Sequence, residues 1–199
     1  MTPQERLQVI INQAEQFDIE KIDRRKIEND LYDAYHQINT LENIIKENVN
    51  NLIFTELDNF LAPQGWRSEV NSENGRDYKL GIKYIWIVPT DTASKKQGYL
   101  VSHDLFEGKT HRIEVSFKDT NIARFLIMAT NGLVIHNDMK NEELNSKLEQ
   151  FQMIKNKFNE INQDLNFHIL DIEVTKVGQN AFKKQPNLIE ALLTILENK

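Results

Sequence analysis

The sequence predicts an α+β chain with long helices at the N-terminus, a central three-stranded antiparallel meander extended into a mixed sheet by later strands, and flanking helices. Three observations carry that expectation. Apolar residues recur at steps of three and four as far as Phe60. They alternate with polar residues between Tyr78 and Phe117, then return to helical spacing from Leu144 onward. A period near 3.6 belongs to a helix with one buried stripe, and a period of two to a strand with one buried face.

Thr2-Pro3-Gln4-Glu5 reads as a capping box with proline at the first helical position, followed by Leu7, Ile10, Ile11, Ala14 and Phe17 on one face. From Asp23 a second helical pattern runs through Ile27, Leu31, Ala34, Ile38, Leu41 and Ile45, a heptad seam. It continues through Val49, Leu52, Ile53, Leu57 and Phe60 until Pro63 and Gly65 stop it. So long a stripe packs either on another subunit or back on its own chain. The organisation expected is a helical arm over 1–62, with a dimerisation helix in it, and an α/β core over 63–199.

After a polar stretch from Arg67 to Asp77, the residues Tyr78, Leu80, Ile82, Tyr84, Trp86 and Val88 fall on one side of a strand that Pro89 ends. Gly98–Phe106 fits a second strand. The third begins at His111, with Ile113, Val115 and Phe117 on one side and Arg112, Glu114, Ser116 and Lys118 on the other. The stretch 120–130 fits either a helix ended by Gly132 or, through Asn131-Gly132, a hairpin; the helix is preferred. Asn141–Leu165 forms an amphipathic helix, Phe167–Val177 a strand, and Pro186 opens a terminal helix.

Composition narrows the function. The 199 residues include no cysteine, which excludes disulfides, thiolate zinc sites and a cysteine nucleophile and fits a reducing cytoplasm. The opening segment lacks the order of a signal peptide, and no run approaches the roughly 20 apolar residues of a membrane span. A soluble, cytoplasmic protein is expected. The net charge of −6 argues against non-specific coating of nucleic acid, yet permits an enzyme whose metal ions supply positive charge.

His103, His111 and His136 show no ligand spacing and read as scattered surface or hydrogen-bonded histidines. Trp66, Tyr78, Tyr84 and Trp86 suit a core better than a base-stacking platform. Asp171, Glu173 and Lys176 repeat an acid-and-lysine pattern, but Glu173 and Lys176, three apart, face opposite ways on a strand.

The order helix, three antiparallel strands, helix, strand resembles the core of the PD-(D/E)XK nucleases. Ile113-Glu114-Val115-Ser116-Phe117, with Gly65-Trp66 after the long helix, looks like the glutamate strand of type II restriction endonucleases of the BglII kind. The resemblance spans roughly residues 57 to 136. It implies a Mg2+-dependent endonuclease on double-stranded DNA, with Asp104 and Glu114 as metal ligands. Ser116 would position water, and Lys118 would stabilise developing charge. Serine at 116 departs from the lysine of the superfamily and the glutamine of the subgroup, and brings no positive charge.

Phosphodiester hydrolysis by hard cations needs carboxylates that converge. A three-residue loop at Glu107-Gly108-Lys109 would set Asp104 opposite Arg112 and diagonal to Glu114; a two-residue loop would bring His103 to that face. A homodimer formed through helix 24–61 would suit a two-fold DNA site. The same residues also fit a solvated strand face with weak cross-strand pairs. The competing function is then a non-catalytic acidic interaction protein, of the immunity-protein or secretion-chaperone type, that binds a protein partner.

Overall fold

The computed structural model describes residues 2–90, 97–103, 110–119, 132–179 and 181–197. The α+β expectation holds: a long N-terminal helix, a seven-stranded sheet and two further helices make up the described residues.

Helix α1 is one element, Pro3–Leu61, rather than the two expected. No proline or glycine interrupts Gln4 to Leu61, so nothing in the backbone ends a helix near Asp23. The capping box forms as read: the Glu5 amide donates to Thr2 Oγ1 at 3.2 Å, and the Thr2 amide donates to Glu5 Oε2 at 2.6 Å. At the other end a 3-10 turn, Ala62–Gln64, leads to Gly65, which takes the left-handed φ of 86°.

The strands are β1 Arg67–Val70, β2 Arg76–Leu80, β3 Lys83–Thr90, β4 Gln97–His103, β5 Thr110–Phe117, β6 Leu170–Lys176 and β7 Lys183–Gln185. They lie in sequence order, and every neighbouring pair is antiparallel, so the sheet is not the mixed one expected. The single strand expected over Tyr78–Val88 is a hairpin. Gly81, with a φ of 60°, and Ile82 form its two-residue turn, and Leu80 pairs with Lys83. Glycine at the first central position is what a type II′ turn requires. Two residues in the turn leave Ile82 in solvent, 97% exposed, and give the core face to Ile85 and Ile87 instead of Tyr84 and Trp86. Pro89 sits inside β3, not at its end. The segment 120–130, read as helix or hairpin, lies outside the described residues, as do 104–106 of the expected second strand.

Helix α2 is Asn141–Gln163 and helix α3 is Leu188–Glu197. Asn187 caps α3, accepting the Glu190 amide at 2.8 Å.

The chain divides into two compact units, residues 1–41 with 129–159 and residues 42–128 with 160–199, so the division falls inside α1 and not at its end. In the first unit α1 and α2 run parallel. Arg24 bonds the Met139 carbonyl, and Tyr35 meets the Phe151 ring at 6.3 Å. Further along, a groove is lined by His36 and Thr40 from α1 and by Lys155 and Asn159 from α2. Leu31, Ala34 and Ile38 of the heptad seam are buried in this unit, as are Leu144, Phe151, Ile154 and Phe158. The seam is therefore covered within its own chain there.

In the second unit one face of the sheet carries the core. Tyr78, Ile85, Ile87, Tyr99, Val101, Ile113, Val115, Ile172 and Val174 share it by register and are buried. Phe54 of α1 meets the Tyr99 ring edge-on at 6.0 Å, and the Tyr99 hydroxyl donates to Asn50 Oδ1 at 2.8 Å. Helix α3 packs on β6 and β7 through Leu188, Ala191, Leu192 and Ile195. Each such Leu or Ile side chain contributes roughly 1.5–3 kcal/mol by leaving water.

Candidate functional site

The alternation along β5 separates Ile113 and Val115, in the core, from Arg112, Glu114 and Ser116 on the opposite face. That second face is polar without being fully open, since Glu114 keeps only 7% of its surface in solvent.

The register differs from the one needed to place Asp104 opposite Arg112. Arg112 pairs with Leu100 and Glu114 with the side-chain-free Gly98. Asp104 itself lies outside the described residues.

The residues that meet Glu114 come from β6, which lies within the strand expected over Phe167–Val177. Glu173 stands directly opposite Glu114, Asp171 opposite Ser116, and Thr175 opposite Arg112. Glu173 and Lys176 do face opposite ways, but the cross-strand neighbour of Glu173 is Glu114. An Arg112 nitrogen lies 3.8 Å from Glu114 Oε1, and Lys184 of β7 pairs with Asp171 at 2.9 Å. The face thus alternates acid and base, with Trp86 and Tyr84 half-buried on the same side by register.

Lys118 does not point its charge at these carboxylates. Its ammonium donates to the His168 carbonyl at 2.7 Å and its amide to the Ile169 carbonyl at 2.9 Å, which ties it to the turn before β6. Ser116 is half-buried beside Asp171 and keeps the face expected of it. Among the described residues, no three of His, Asp and Glu are placed to share a metal ion. The carboxylates of the described residues therefore do not make up a Mg2+ centre by themselves.

Two of the histidines read as scattered are neighbours in the core. His103 and His111 are both buried, with rings stacked at 6.4 Å and 14° between planes. Their odd-numbered places beside Val101 and Ile113 are the signal in the sequence that puts them on the core face rather than at the surface. Tyr78 is core, as read.

A different surface stands out on α1. Every residue from Thr2 to Asp23 is exposed, including Leu7 at 58%, Ile10 at 61%, Phe17 at 65% and Ile22 at 65%. Among the described residues no helix is long and apolar enough to cross a membrane, so this stripe is not part of such a span.

No protein-family model, curated protein or solved structure matches this chain.

Proposed function

We propose that the chain is a non-catalytic interaction protein whose N-terminal helical arm docks a protein partner. The observation that carries this reading is the exposed stretch of α1 from Pro3 to Ile22, with its large apolar side chains in solvent. A helical extension whose apolar face packs on nothing is weakly held in water, because most helical stability in proteins comes from packing an amphipathic face. Exposed apolar stripes rimmed by polar residues are typical of protein contact surfaces. The net charge of −6 agrees with a protein partner better than with a phosphate backbone. Supercoiled plasmid incubated with the chain and Mg2+ or Mn2+ stays intact on this reading. Scission that disappears in Glu114→Ala would overturn it.

A second reading, the restriction-like endonuclease, is favoured by one observation: the carboxylate of Glu114 on a shielded polar face, directly opposite Glu173. In that case Glu173, with Glu114, would supply oxygen donors for a divalent cation, and Asp104 would have to add a third. Crystals soaked in manganese would then show anomalous density beside Glu114.

A further inference from the structure

We infer that the partner of the helical arm is a second copy of the same arm, paired antiparallel over residues 4–20; the inference rests on the interaction reading above and names its partner.

The stripe has coiled-coil spacing. Leu7, Ile10, Ala14 and Phe17 follow at steps of three, four and three, the spacing of core positions in a two-stranded coil. It is also distinct from the seam further along α1. Leu31, Ala34, Ile38 and Ile45 are buried, whereas all four arm residues are in solvent. At about 100° per residue, the arm stripe lies well over a quarter turn around the helix from that seam, so α2 cannot cover both.

An antiparallel alignment satisfies every layer. Leu7 meets the partner's Phe17, and Ile10 meets the partner's Ala14, so each large residue faces either a complement or a small one. The flanks agree as well. Arg6 beside Leu7 falls next to the partner's Glu20 beside Phe17, and two-fold symmetry makes this ion pair twice. Ile11 meets its own copy at the axis, which adds apolar contact on one flank. The parallel alignment fails on the same residues. It would set Arg6 against Ile11, and one layer beyond Phe17 it would bring Lys21 against Lys21. Charge therefore selects the antiparallel form.

The whole chain, free of cysteine, permits a direct test. Sedimentation equilibrium from micromolar to sub-millimolar concentration is expected to show a reversible dimer. Arg6→Glu weakens it about tenfold by turning both pairs repulsive, and adding Glu20→Arg in the same chain restores it. On oxidation, a mixture of Leu7→Cys and Phe17→Cys chains cross-links. Leu7→Cys alone does not, because its two copies sit about 15 Å apart along the coil. A chain that stays monomeric throughout that range overturns the proposal, and so does efficient self-linking of Leu7→Cys. Glu114-dependent plasmid cleavage, by contrast, would sink the non-catalytic reading whatever the oligomeric state.

Discussion

Glu114 on β5 and Glu173 on β6 stand directly opposite each other, although one of them is almost wholly withdrawn from water. Like charges at opposed positions oppose the pairing of their strands, and the Arg112 guanidinium 3.8 Å from Glu114 Oε1 offsets part of that repulsion. Glu114→Gln is therefore expected to leave stability unchanged or to raise it by about 0.5 kcal/mol in urea unfolding. A loss of several kcal/mol would mean that the charge at 114 is structurally required.

The seam and the arm of α1 should respond differently to the same change. Ile38 is fully buried, and Ile38→Ala is expected to cost about 2–5 kcal/mol, depending on how far the site collapses. Ile10→Ala, measured where the chain is dilute enough to be monomeric, is expected to cost under about 0.5 kcal/mol. Equal losses would show that the arm stripe packs within its own chain.

Tyr99 governs behaviour at alkaline pH. Burial pushes its phenol above the ordinary value of 10.0, and burial, followed by the Asp58 carboxylate, does the same to Tyr78. The fold holds both protonated, so their contribution is complete below about pH 10 and is lost as the pH climbs further, because the unfolded chain releases those protons first. Tyr99→Phe should flatten that decline while costing about 1 kcal/mol at neutral pH, since the bond to Asn50 is lost. Thermal melts between neutral pH and pH 11 read both effects. An unchanged alkaline slope in the variant would exclude Tyr99 as its source.

Gly75 has no room for a side chain. A Cβ there would fall 2.0 Å from the Ile87 carbonyl oxygen, and that oxygen belongs to the backbone of β3 and cannot swing aside. The same residue donates its amide to Asn71 Oδ1 at 2.8 Å, closing the turn between β1 and β2. Gly75→Ala should cost about 2 kcal/mol or more in denaturant unfolding. A neutral result would mean that the β1–β2 turn shifts easily.

What could be read from the sequence followed local chemistry. The Thr2–Glu5 cap, the stop at Pro63 and Gly65, the strand alternation at Ile113 and Val115 and the amphipathic α2 all rest on short-range rules, and all appear. The failures were of register and pairing. Gly81 sits among apolar residues that alternate smoothly across it, so the hairpin reads as one strand and Tyr84 and Trp86 fall on the wrong face. The short edge strands β1 and β7 are polar except for the exposed Val70 and carry no apolar pattern. Glu173 was discounted for the same reason: which residue lies across a sheet depends on strand order, and nothing in the local sequence near Ile172 or Val174 states that β6 borders β5.

The proposed interaction role rests on the arm of α1 needing a partner. Hydrogen–deuterium exchange across residues 5–22 tests this most directly, in the wild-type chain and in Leu7→Ser/Ile10→Ser/Phe17→Ser. The expected result is slow exchange in the concentrated wild type, and rapid exchange on dilution and in the variant, while the amides of α2 and the central strands stay protected in all three. Slow exchange of the arm that persists on dilution and in the variant would contradict the account, because the helix would then be holding itself without any partner.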